Sequence, residues 1–234
     1  MNTKHNVNYF KKSGGLKTIG TGMMVVGILG LWLGWSYSYY LYFISTIALP
    51  VGLVLFMFGS VGRASEEDMD SCIKSIGDGL DSLLENDKKL SKKRLAHISP
   101  MMAEGYEYSD GLMYTKAKSG TVRSSEYTKA ILYILSDSLC IVRRTASLIA
   151  DNARTETVEI PYDMLAQAEI RTADKTVSFG KRQFHVKETR LFVTYGDALV
   201  FSTPIHNDIT ADQFVDKIRK TAQSYLKEKC GGQG

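Results

Sequence analysis

TIGTGMMVVGILGLWLGWSYSYYLYFISTIALPVGLVLFMFGSVG, running from Thr18 to Gly62, contains no Asp, Glu, Lys, Arg or His in 45 residues. As a single helix it would measure about 67 Å at a rise of 1.5 Å per residue, more than twice a hydrocarbon core of about 30 Å. Two spans of about 20 residues joined by a tight turn use that length, and one span cannot. The turn belongs at Trp35-Ser36-Tyr37-Ser38-Tyr39, where aliphatic residues give way to serine and aromatics. Trp32, Trp35, Tyr37, Tyr39, Tyr40 and Tyr42 surround it. Amphipathic rings of this kind settle at the headgroup level of a bilayer. The stretch therefore predicts a transmembrane α-hairpin over 17–62, with spans near 17–35 and 39–61, behind a basic tail at 1–16.

Flanking cations give the orientation. Lys4, Lys11, Lys12 and Lys17 precede the first span, the turn carries no charge, and Arg63 follows the second span. By the positive-inside rule both termini face the cytoplasm and the aromatic turn lies outside. The expected location is thus the plasma membrane, the inner membrane of a bacterium. A cleaved signal peptide is the competing reading; it lacks a small-residue cleavage site before a polar mature chain, and a second span follows at once. Gly30-Leu31-Trp32-Leu33-Gly34 is a small-xxx-small motif that allows close approach of the second span or of another copy. Pro50 removes one backbone donor in mid-span and predicts a local kink. With no ionisable group in either span, the hairpin reads as an anchor rather than an ion pathway.

The rest of the chain is balanced. Of 29 Lys+Arg against 25 Asp+Glu in 234 residues, the excess of four is the N-terminal lysines; residues 63–234 carry 25 of each sign. That balance excludes a basic nucleic-acid binder, and 44% hydrophobic content excludes a disordered chain. Three cysteines, Cys72, Cys140 and Cys230, are too few and too odd for a disulfide framework and read as free thiols in a reducing compartment.

Past Gly62, Met69, Ile73, Ile76, Leu80 and Leu83 fall at spacings 4-3-4-3, the seam of a short amphipathic helix. Asp87 interrupts the seam and Leu90 resumes it. Acids crowd the early part, and Lys88, Lys89, Lys92, Lys93 and Arg94 crowd the late part, in the sense that complements a helix dipole. One helical stalk over 63–98 is expected, with a bend near 78 where Gly77 and Gly79 weaken it. Its apolar seam must be buried against a second copy or the following domain.

From 99 to 234 the period switches to short strands. Expected strands are 125–135, 139–145, 155–160, 165–171, 176–180, 183–195 (bent or broken near Glu188) and 198–203. Asp110-Gly111, Ser136-Asp137-Ser138, Ala173-Asp174-Lys175 and Gly196-Asp197 supply turn signals. A helix then opens near Thr210, with Phe214, Ile218, Ala222 and Tyr225 as its apolar stripe and Gly231-Gly232 as its end.

Within this region, Ile131 to Val142 (ILYILSDSLCIV) resembles the hairpin that opens GRAM and bacterial pleckstrin-homology-like domains: a strand, a Ser/Thr-Asp/Asn turn and a second strand beginning with Leu. Glu159-Ile160-Pro161-Tyr162-Asp163-Met164-Leu165 is similar to the next landmark of that family, an Ile-Pro-Tyr/Leu-x-Asp/Glu-Ile step into the following strand. The resemblance covers about 105–230. It implies a pleckstrin-homology-like, strongly bent antiparallel β-barrel of seven strands with a C-terminal capping helix. The expected fold class is then an α+β membrane protein: transmembrane α-hairpin, amphipathic stalk and capped barrel.

Eukaryotic relatives of this fold often hold phosphoinositides through Lys and Arg in and after the first hairpin loop. Here that loop is short and acidic, and Arg143 and Arg144 on the next strand point to opposite faces. Bacterial relatives imply a membrane-tethered interaction or scaffold module instead. Arg143, Arg144, Arg154, Lys181, Arg182 and Lys187 are the candidate ligand-binding residues, as a basic rim.

Catalytic and metal motifs are not evident. His5, His97, His185 and His206 are scattered, with no His-Glu-x-x-His, paired cysteines or phosphate loop. The expectation is a non-enzymatic, membrane-anchored module without cofactor, metal or nucleic-acid partner. It would bind a protein, peptide or lipid headgroup at the cytoplasmic face. The alternative is a homo-oligomeric transmembrane pore component or transporter regulator, with the Gly30/Gly34 face and the stalk seam as interfaces.

Overall fold

The charge-free run folds as two antiparallel helices in a computed structural model, which describes residues 3–11, 15–37, 39–60, 64–95, 97–195, 198–205 and 209–231. Ser38, Gly62, Arg63, the expected Gly196-Asp197 turn, His206 and Gly232 lie outside the described residues. Contacts divide the chain into two units, 2–65 and 66–234.

The first unit holds α1 (Thr3–Lys11), α2 (Gly15–Tyr37) and α3 (Tyr39–Ser60). Where a basic tail was expected, α1 is a helix that buries Asn6 and Phe10, and the Ala64 amide donates to the His5 carbonyl at 3.2 Å. Glycines bring α2 and α3 together. A Cβ on Gly20 would lie 2.5 Å from the Phe56 nitrogen, and one on Gly34 would lie 2.5 Å from the Tyr42 nitrogen. Gly30 faces the buried Ser45 side chain. The Gly30/Gly34 motif thus serves the second helix of the same chain. Trp35 and Tyr42 meet edge to face at 6.2 Å beside the turn. α3 runs on through Pro50. Both helices are long and apolar enough to cross a membrane, over Lys17–Trp35 and Tyr39–Gly59. Only 17% and 11% of their most apolar windows are buried, so this surface is not a protein core.

In the second unit the expected single helix is three: α4 (Glu66–Ile76), α5 (Leu80–Asn86) and α6 (Lys88–Lys93). Gly79 takes φ +74°, a conformation that ends helices. The Asp87 carboxylate then accepts from the amides of Lys89 (2.9 Å) and Leu90 (3.2 Å), an N-cap that starts a new helix. The strands are β1 (Met101–Tyr106), β2 (Tyr114–Lys116), β3 (Val122–Ser124), β4 (Glu126–Ile134), β5 (Ser138–Ser147), β6 (Ala153–Pro161), β7 (Gln167–Phe179), β8 (Arg182–Tyr195) and β9 (Ala198–Pro204). A short 3-10 helix, Tyr162–Met164, joins β6 to β7, and α7 (Ile209–Gly231) follows β9.

All pairing is antiparallel, in sheets ordered β1-β4-β5-β6, β7-β8-β9 and β2-β3. The two larger sheets approach where β1 meets β9; a Cβ on Gly105 would lie 2.8 Å from the Pro204 Cβ. Among the described residues they remain separately hydrogen-bonded, so the expected barrel is not a closed one. Two other expectations change. Ala173-Asp174-Lys175 is no turn but the middle of β7, and β8 is unbroken at Glu188. Cross-strand pairing of Ala173 with Glu188 and of Asp174 with Lys187 overrides the turn-forming residues, and the chain reverses at Gly180, φ +61°.

β4 and β5 are apolar on both faces, and both are covered. On the inner face Ala130, Leu132, Ile134, Leu139 and Ile141 pack with Leu191, Val193, Phe201 and the α7 residues Phe214, Ile218 and Ala222. On the outer face Ile131, Tyr133, Leu135, Cys140 and Val142 pack with Leu80 and Leu90. Leu80 and Leu90 of the helix seam are therefore buried on their own chain's sheet, while Leu83 stays exposed. Each fully buried Leu or Ile contributes roughly 1.5–3 kcal/mol.

Candidate functional site

Side chains alternate across a strand, so even-numbered residues of β4 share one face with odd-numbered residues of β5. The register pairs Ile134 with Leu139, Leu132 with Ile141, Ala130 with Arg143, Thr128 with Thr145, and Glu126 with Ser147. On β6 the same rows continue as Ile160, Val158, Glu156 and Arg154. One face thus runs from wholly apolar near the Ser136-Asp137 turn to wholly polar at its other end.

At the polar end a cleft of about 370 Å³ is lined by Glu126, Arg143, Thr145, Ser147, Asn152, Ala153, Arg154 and Glu156. Arg143 stands where the cleft borders the apolar end of the face. Its guanidinium lies 4.7 Å from the Phe201 ring centroid, donates to the Ser202 carbonyl at 2.8 Å and pairs with Glu156. Beside the cleft a charged network ties the sheets together. Arg190 donates to Glu107 and Glu188, each at 2.7 Å, and to the Ser202 hydroxyl at 2.8 Å. Thr128 donates to the other Glu107 oxygen at 2.8 Å and shares a 2.9 Å hydrogen bond with Thr145. Arg190 is raised further above its ordinary value: burial alone would lower it, and the two glutamates outweigh burial.

Glu126 is the exception. Among the described residues its carboxylate has no hydrogen bond or ion pair; its bonds are those of its backbone, to the Ser124 hydroxyl and from the Glu107 amide. Burial, followed by the like charge of Glu107, pushes its carboxyl above the usual carboxylate range. Arg154, 84% exposed, reaches Glu156 alone among the described residues, at 3.4 Å.

The six candidate basic residues take different places. Arg143 and Arg154 both line the cleft and share Glu156. Arg144 faces the other way. Its guanidinium donates to the carbonyls of Ile76 (3.2 Å) and Asp78 (2.8 Å) and to the Thr155 hydroxyl (3.0 Å), holding the end of α4 against the sheet. Lys181, Arg182 and Lys187 are exposed on the β7–β8 hairpin, in the other sheet. Asp137, in the short acidic turn, is tied to Lys93 at 3.0 Å. Burial would raise the Asp137 carboxyl, but hydrogen bonds from Lys93 and Ser138 bring it below its ordinary value. Burial pushes the Cys140 thiol up to about 12, which keeps it protonated near neutrality. No cluster of His, Cys, Asp or Glu fit to hold a metal occurs among the described residues.

Sequence reasoning named Arg143 and Arg154 but missed Glu126, Thr145, Asn152 and Glu156. The signal that finds them is the alternation itself: Glu126, Thr128, Ala130, Leu132, Ile134 turns from polar to apolar along one face. No protein family, curated protein or solved structure matches the chain.

Proposed function

We propose that this chain is a membrane-anchored, non-enzymatic binding module, with α2 and α3 as its anchor and a pleckstrin-homology-like domain that engages a protein or peptide partner at the cytoplasmic face. The supporting observation is the joint arrangement of a four-stranded and a three-stranded antiparallel sheet around one C-terminal helix, leaving an open polar cleft at the far end of the inner face. That order of elements is what the resemblance to pleckstrin-homology-like and GRAM-like domains implies. Anchoring raises the local concentration of the domain at the membrane, so modest affinity suffices. The orientation rests on the N-terminal lysines.

A pore or oligomeric reading finds much of its two interface motifs engaged within the chain, Gly30/Gly34 by α3 and Leu80 and Leu90 of the helix seam by β4 and β5. Photo-crosslinking in intact cells tests the proposal, with the reactive side chain at position 152 in the cleft and at position 220 on exposed α7 as control. A discrete heterologous adduct from 152 and none from 220 is expected. Adducts made only of this chain would favour the oligomer.

A further inference from the structure

We propose that the cleft beside Arg143 receives a lysine or arginine side chain of an extended peptide, and that Glu126 is the group that pairs with it. The inference rests on the binding-module reading above and names the chemistry of its partner.

Charge accounting points to a cation. The groups facing the cleft or adjoining it are Glu107 after β1, Glu126 on β4, Arg143 on β5, and Arg154 and Glu156 on β6. Arg143 is neutralised by Glu156 and held by the Ser202 carbonyl, and Glu107 is neutralised by Arg190. Arg154 leans on Glu156 from solvent. Among these groups Glu126 alone is left half-buried without an ion pair, and the like charge of Glu107 adds to the cost of its burial. A half-buried carboxylate loses hydration without regaining it, and an incoming ammonium or guanidinium restores it with a charge-assisted hydrogen bond.

The surroundings favour a peptide over a lipid headgroup. β6 is the edge of its sheet and pairs with β5 alone among the described residues, so one row of its backbone donors and acceptors is open to an added strand. A lipid headgroup has no use for such a row. The cleft lining carries no large apolar side chain to enter a bilayer; Ala153 is its most apolar member. At about 370 Å³ the cleft lies near the small end of ligand sites, which suits one long side chain.

The test is calorimetric titration of the full chain in phosphatidylcholine nanodiscs. The probes are a blocked pentapeptide of alternating threonine and lysine, its threonine–glutamine counterpart, and phosphoethanolamine. The lysine peptide is expected to bind about tenfold more tightly than the glutamine peptide at pH 7.5. That preference should disappear in Glu126→Gln, persist in Lys217→Gln on exposed α7, and fade as the pH is lowered through the raised Glu126 value. A thermal midpoint in Glu126→Gln no lower than that of the unaltered chain separates lost recognition from lost folding. Equal binding of both peptides overturns the role of Glu126 while leaving a peptide-binding module standing. Tighter binding of phosphoethanolamine than of either peptide overturns the inference in favour of a lipid headgroup. Binding of no probe also overturns it, and crosslinking from position 152 then decides the module reading separately.

Discussion

The two ends of the inner face of β4 and β5 are built on opposite terms. At one end Leu132, Ile134, Leu139 and Ile141 are at most 2% exposed and meet the stripe of α7. At the other end Arg143, Arg190, Glu107, Glu156 and Glu188 are only partly buried, and Glu126 lacks a counter-charge. Apolar matching stabilises without conditions, whereas an ionic network repays its desolvation only when every member is paired. A fold selected for stability alone would extend the first arrangement. Under the proposed binding-module reading, the unmatched carboxylate in an open cleft is where the partner is seated.

Breaking the apolar end should have the largest effect. Leu132→Ala is expected to cost about 2–5 kcal/mol, read by denaturant unfolding of the protein in nanodiscs. At the polar end Arg190→Ala leaves Glu107 and Glu188 without their cation and should cost about 2–3 kcal/mol. Adding Glu107→Gln should restore part of that loss; full additivity of the two changes would argue against a coupled network. Arg144→Ala leaves the inner face untouched and frees the Ile76 and Asp78 carbonyls. About 1–2 kcal/mol is expected, with faster thiol labelling of Cys72 on α4, which lines a cavity of about 280 Å³ beside Arg144.

The smallest effect has the opposite sign. Glu126→Gln should stabilise the domain at pH 7 by about 0.5 kcal/mol. A carboxyl raised on folding binds more protons in the native than in the unfolded state, so its unfavourable charge is relieved as pH falls through the raised value. The gain from the substitution should therefore vanish in mild acid. A gain independent of pH would show that Glu126 carries no such burden.

The helix pair was legible because a 45-residue absence of charge is a long-range statement that no local preference can imitate. β4 and β5 were legible from their apolar runs and bounding turns. The position of α4–α6 was not, since an apolar seam says only that it must be covered. Yet the unbroken run Ala130 to Leu135 is the mark of a strand buried on both faces, and it names the surface that covers the seam. β7 was misread because Asp174 sits in a turn-like tripeptide whose pairing partners, Val186, Lys187 and Glu188, lie far along the chain on the next strand. Arg144 looked like a ligand residue from its charge. Its role at the end of α4 depends on a chain reversal at Gly79 that spacing alone does not reveal.

Hydrogen exchange of the full chain in nanodiscs, with and without the lysine-containing peptide, tests the central claim most directly. Slowed exchange along 153–161 and at 126–128, with α4–α6 and the β7–β8 hairpin unchanged, is the result predicted for a partner seated at the polar end of the inner face. Protection confined to the hairpin around Lys181 and Arg182, or to the helices on the outer face, would contradict it.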